Sequence, residues 1–159
     1  MRGSTFCGRS GSPGLARSHQ LLLAAGDCKR VTIADEPSAA WNRTTAMDLT
    51  TNWITAGKPI DVVFANNDEM AIGAVQALKA AGVSMDDVIV IGIDATQDAL
   101  AAMAAGDLDA TVFQNAKSQS ASAVDSAVAL ARGKAIDKQV WVPFELVTPK
   151  NMADYTNKN

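Results

Sequence analysis

The residues with chemical capacity in this 159-residue chain gather behind three apolar runs. Asn66, Asn67 and Asp68 follow Ile60 to Ala65; Asp94 and Thr96 follow Val88 to Ile93; Gln114 and Asn115 follow Ala110 to Phe113. A carboxylate accepts from two hydroxyls at once and an amide both accepts and donates, so this set suits vicinal hydroxyls. Sugars and cyclic polyols present such hydroxyls together with apolar C–H faces, for which a flat ring such as that of Trp41 is the complement. Arg17 offers a fork of donors to one or two ligand oxygens, or is a plain surface charge. Trp53 and Trp141 read as core residues. Helix capping accounts for some of the strand-end residues, because Asn, Asp and Thr are the preferred caps.

Catalytic constellations are not visible in the pattern. His19 is the single histidine, so a Ser-His-Asp triad would have to use it. No GxxxxGK[ST] or GxGxxG follows a strand pattern. Asp94 with Asp98, and Asp107 with Asp109, lack a second set of ligands at calcium or magnesium spacing. The expectation is a binding protein with no catalytic residue, no metal and no cofactor. Asn42-Arg43-Thr44 matches a glycosylation acceptor, a pattern short enough to arise by chance. Cys7 and Cys28 have no CxxC spacing and read as two unpaired thiols, with a disulfide left open. With 14 Lys and Arg against 17 Asp and Glu, the net charge of -3 gives no positive field for nucleic acid or an anionic membrane.

The elements that must hold these residues follow from the patterning. Residues 1–14 are rich in Gly, Ser and Arg and read as a loop or frayed start. A short helix is predicted over 16–25, a brief strand over 31–33 and a helix over 41–56, ended by Gly57-Lys58-Pro59. The runs 60–65 and 88–93 are β-branched and continuous, as in strands covered on both faces, and each is followed by a helix, 69–81 and 97–105. A third strand, 110–113, leads to an alanine-rich helix over 118–132, then to a strand within 140–147 and a short helix start after Pro149. Repeated β-α units predict an α/β fold: a parallel sheet with helices on both faces and right-handed crossovers. Ligands bind such sheets at the carboxyl ends of the strands, where the polar residues lie. At 48% hydrophobic the chain has the material for one core, and no run approaches the roughly 18 apolar residues of a membrane span. Leu21-Leu22-Leu23-Ala24-Ala25 is shorter than a signal-peptide apolar region, so no export signal is read and the chain as given would stay in the cytoplasm.

Three motifs in order carry a resemblance: Asp61-Val62-Val63-Phe64-Ala65-Asn66-Asn67-Asp68-Glu69-Met70-Ala71-Ile72-Gly73-Ala74, Val90-Ile91-Gly92-Ile93-Asp94-Ala95-Thr96-Gln97-Asp98-Ala99-Leu100, and Gly106-Asp107-Leu108-Asp109-Ala110-Thr111-Val112-Phe113-Gln114. With Val142 to Pro149 they resemble the periplasmic sugar-binding proteins of ABC importers, in the ribose-type cluster and within it the inositol and rhizopine binders. The resemblance covers roughly residues 29–155 and implies two α/β lobes closing on a sugar, with a membrane permease as partner. By it Asn67 and Asp94 bind ring hydroxyls, Trp41 forms part of an aromatic sandwich, Gln114 binds at a hinge crossover and Arg17 donates to ligand oxygens.

The family is about twice this length, so the resemblance makes the chain a C-terminal portion that lacks nearly all of the first lobe and the opening strand of the second. Residues 1–15 are then a poorly patterned start, 16–114 the sugar-binding lobe, 115–137 a crossover that would pack on the first lobe, and 138–159 the return and tail. Weak binding is expected, with the alanine-rich helix exposing an apolar face or pairing it with another copy. The effector domain of a lactose-repressor-type regulator is the other reading; the net negative charge and the Asp94-to-Leu100 run favour the importer proteins.

Overall fold

The computed structural model describes residues 2–6 and 32–158. Arg17, His19, both cysteines and the helix predicted over 16–25 lie outside the described residues. Six strands are described: β1 (Arg2–Phe6), β2 (Thr32–Asp35), β3 (Val62–Ala65), β4 (Ile89–Ile91), β5 (Thr111–Phe113) and β6 (Glu145–Val147). The described α-helices are α1 (Arg43–Thr55), α2 (Asp68–Ala80), α3 (Gln97–Ala104) and α4 (Ala116–Ala131). Short 3-10 turns follow at Met85–Asp87 and Met152–Tyr155.

Four strands pair in parallel in the order β2-β1-β3-β4. A bridge between Ile91 and Ala110, with Gly92 N–H to Ala110 O at 2.9 Å and Asp94 N–H to Val112 O at 2.8 Å, carries the ladder on to β5. The last strand, β6, runs antiparallel to β5 and closes that side. Connections from β2 to β3, β3 to β4 and β4 to β5 all step the same way, so right-handed crossovers set α1, α2 and α3 on one face. The fully buried Val63, Ala65 and Val90 point toward that layer, where Trp53, Met70, Ala71, Leu78 and Leu100 complete the core. The alternate positions of the sheet are less covered: Val62, Phe64 and Ile91 are half-buried, and Ile89 is exposed among the described residues.

The expectation of a loop over the first residues is corrected by β1. Arg2–Phe6 forms an inner strand, paired with β2 on one side and β3 on the other. Its composition has no strand pattern, and its place comes from having a neighbour on each edge. The strand expected within 140–147 shrinks to Glu145–Val147, and Trp141 is 81% exposed rather than core. Trp53 is core as expected, its indole N–H donating to Asp35 Oδ2 at 2.9 Å.

Close helix packing has a local cause at Gly73. A Cβ there would run into the Arg43 carbonyl and come within 3.1 Å of the Met47 nitrogen, so glycine lets α1 lie directly on α2. By contrast α4 buries none of its residues: Val124, Val128 and Leu130 are each exposed, as are Trp141 and Phe144 in the segment that lies against its Gln119, Ser122, Ala123 and Ser126 side.

Candidate functional site

The carboxyl ends of β3, β4 and β5 lie side by side, which sorts their polar residues by use. Asn67, Thr96 and Asn115 are helix caps, accepting from the N–H groups of Met70, Ala99 and Ser118 at 3.0, 3.2 and 2.9 Å. Asp94 and Gln114 are not caps. Gln114 Nε2 donates to Asp94 Oδ1 at 3.0 Å, and the two line an open pocket of about 440 Å³ with Thr96, Gln97, Ala116 and Gln119. Partial burial pushes the Asp94 carboxyl above its ordinary value, and the hydrogen bond from Gln114 acts against that shift. The pair is a carboxylate acceptor fixed beside an amide that still has a carbonyl to offer, which is what adjacent hydroxyls require.

Asn67 ends β3 beside the point where the sheet's connections reverse direction, between β1 and β3, which is where open α/β sheets bind ligands. Its carbonyl oxygen serves the cap, so its amide nitrogen is what it can present to a ligand. Trp41 sits just ahead of α1, whose cap is Asn42, and its ring is half exposed. The structure therefore joins Asp94 to Gln114 directly and sets Asn67 on the neighbouring strand end. Trp41 precedes a helix packed on α2, and Arg17 lies outside the described residues.

Backbone strain coincides with these positions. Four described residues other than glycine have positive φ: Ala40 at 50°, Trp41 at 61°, Asp94 at 117° and Ala95 at 55°. Each costs on the order of 1–3 kcal/mol, and such strain persists where surrounding contacts enforce it, commonly at ligand sites. Two of the four are candidate ligand residues.

Two further charged side chains near these positions, Arg43 and Asp68, carry no local signal of their placement in the sequence. Arg43, in the first turn of α1, donates in a fork to Glu69 at 2.9 and 2.8 Å and to Asp98 at 2.8 Å. Those hydrogen bonds, Glu69's first, raise its pKa further above the normal arginine range. One guanidinium thus joins the starts of α1, α2 and α3, the helices that follow Trp41, Asn67 and Asp94. Asp68 reads as a cap residue, yet its carboxylate is fully buried and turned toward β5. It accepts from Thr96 N–H and from the Thr111 hydroxyl, both at 2.7 Å. Burial is the main cause of its pKa rising to about 6, outweighing those hydrogen bonds, and the nearby Asp94 charge adds to the rise.

The profile of the family described as periplasmic binding protein domain matches residues 14–135. The chain belongs to that family. A protein of Rhizobium meliloti named for rhizopine binding is 55% identical over 138 residues, which is 87% of this chain and 45% of that protein. Among solved structures, an ABC transporter solute-binding protein of Bacillus halodurans with bound myo-inositol superposes with a TM-score of 0.86 at 41% identity, over 99% of this chain and 55% of that one. The Caulobacter myo-inositol binding protein, also with myo-inositol, gives 0.82 at 34% identity, over 96% of this chain and 53% of that one. The chain spans about half the length of these relatives. Its parallel sheet and helices are those of the periplasmic binding protein fold, in a family of binding proteins of ABC importers.

Proposed function

We propose that this chain supplies one side of the cleft of a solute-binding protein serving an ABC importer, and that the solute is a cyclic polyol of the inositol or rhizopine kind. The carrying observation is the hydrogen-bonded Asp94–Gln114 pair, which no capping role explains and which lines the pocket at the carboxyl edge of the sheet. Asp94 accepts from ring hydroxyls, Asn67 donates from its amide nitrogen, Gln114 bridges, Trp41 covers an apolar ring face and Arg17 donates to ligand oxygens. Binding is capture without chemistry: closure of two lobes removes water from the hydroxyls, and the closed shape, favoured by differential affinity, is what a membrane permease recognises. The permease partner and a periplasmic location belong to this proposal.

Relatives about twice as long imply a facing lobe, and residues 115–137 are then the segment that packs on it. That reading accounts for α4 burying none of its residues while Val124, Val128 and Leu130 stand exposed. Without a facing lobe the site binds weakly, because half of the desolvating surface is missing. Saturation-transfer NMR and calorimetry of the chain with myo-inositol, ribose and galactose test the assignment. The expected result is binding of myo-inositol first, with a Kd in the roughly millimolar range. Equal silence from all three polyols, or conversion of any of them to product, would sink it.

The exposed face has its own readout. Surfaces of this kind are covered in solution, so light scattering of the isolated chain is expected to show a mass that rises with concentration. Substituting Leu130, one turn after Ser126 on the side of α4 that carries Trp141, together with Trp141 by Ser should restore a constant monomer mass; a monomer at all concentrations in the unsubstituted chain would refute self-association through this face.

A further inference from the structure

Asp94 and Ala95 are held consecutively at positive φ, and a strained turn relaxes unless its backbone groups are fixed. The three N–H groups of the turn are all committed. That of Asp94 donates to Val112 O at 2.8 Å, that of Ala95 to the Thr111 hydroxyl oxygen at 3.1 Å, and that of Thr96 to Asp68 Oδ2 at 2.7 Å. The Thr111 hydroxyl in turn donates its own hydrogen bond to Asp68 Oδ1 at 2.7 Å. Two successive N–H groups therefore end on one carboxylate, the second directly and the first through a threonine.

This carboxylate is placed for that purpose and no other visible one. The cap of α2 is already provided by Asn67, so Asp68 does not serve the helix start. Room for it exists because residue 92 is glycine: a Cβ there would collide with Asp68 Oδ1. Both Asp68 and Thr111 are fully buried, and neither lines the pocket. A buried charge is a poor source of stability compared with apolar packing, so its presence calls for a geometric reason.

We propose that Asp68 and Thr111 are positioning residues that lock the Asp94–Thr96 turn and thereby aim the Asp94 carboxylate at the ligand. The proposal rests on the reading of Asp94 as a polyol ligand, but the lock itself can be measured without any ligand. Amide hydrogen exchange followed by NMR compares Ala95 and Thr96 with the core strand residue Val63. Thr111→Val keeps the shape and removes the hydroxyl, leaving a buried acceptor and a buried donor unmatched. Exchange at Ala95 and Thr96 should then accelerate about tenfold or more beyond any change at Val63. Thr111→Ser, which restores the hydroxyl, should return both amides to near the original rates, and the saturation-transfer signal of myo-inositol should fall and recover with them.

Equal changes at Val63 and at the turn, or a serine variant as fast as the valine one, would overturn the lock. If Thr111→Val does not fold, Asp68→Asn gives the same reading. It puts an amide donor on one side of a site built for two donors, and should accelerate the same two amides selectively. Absence of polyol binding in the unsubstituted chain would refute the functional reading alone, since the exchange rates still decide the lock.

Discussion

Asp94→Ala is expected to reduce the affinity of the chain for myo-inositol about 100-fold or more, which extinguishes a saturation-transfer signal that begins near the millimolar range. A half-buried carboxylate that accepts from two hydroxyls contributes through charge-assisted hydrogen bonds, each stronger than a neutral one. Its loss also leaves Gln114 without the acceptor that orients it. Stability should move differently from binding. At φ 117° any residue with a Cβ is strained, so Asp94→Gly should unfold at higher urea than Asp94→Ala, with a gain of roughly 1 kcal/mol from relieved strain. Both variants should be silent toward myo-inositol. An alanine variant that binds as the original chain does would remove Asp94 from the site.

The parts of the fold that could be read from the residues are those whose signal is local. Val62 to Ala65 and Ile89 to Ile91 are strands because β-branched runs bounded by Pro59 or Asp87 and by short polar residues have few other uses. Helix α2 starts where Asn67 can cap it and stops where Gly82, at φ 75°, admits the left-handed turn. What could not be read depends on partners far along the chain. Arg2–Phe6 is a strand only because β2 and β3 flank it, from residues about thirty and sixty positions away. Trp141 looks like core by type and is not, since the segment 140–144 lies beside α4 rather than in the sheet.

The candidate site divides the same way. Asp94 and Gln114 are recognisable as polar residues behind apolar strands, and their pairing at 3.0 Å agrees with that placement. The residues that hold them were hidden by resemblance to simpler roles. Asp68 beside Asn67 looks like a second cap, and only Thr111, forty-three positions later, together with the missing Cβ of Gly92, turns it into a buried bracket. Arg43 looks like part of a glycosylation pattern, whereas Asn42 is occupied with capping α1 and Arg43 with tying three helix starts together.

Burial of Asp68 should also leave a signature in the acid dependence of stability. In the folded chain its carboxyl keeps a proton up to about pH 6, whereas an unfolded aspartate releases it near the ordinary value of 3.8. Folding therefore takes up a proton between those two values, and the stabilising contribution of the neutral form is complete below the lower one and lost as pH rises through the upper one. The gap corresponds to about 3 kcal/mol. Asp35 and Glu145 act in the opposite sense, because their hydrogen bonds, with Lys58 and with Tyr155 first, lower their pKa values and lose their benefit in acid. A comparison with Asp68→Asn cancels those contributions, since both remain in the variant. The difference in urea unfolding free energy, original chain minus variant, should fall by roughly 2 kcal/mol between pH 4 and pH 7, most of the full gap. Two parallel pH profiles would mean that Asp68 titrates as an ordinary exposed aspartate and is not the buried bracket beneath the Asp94 turn.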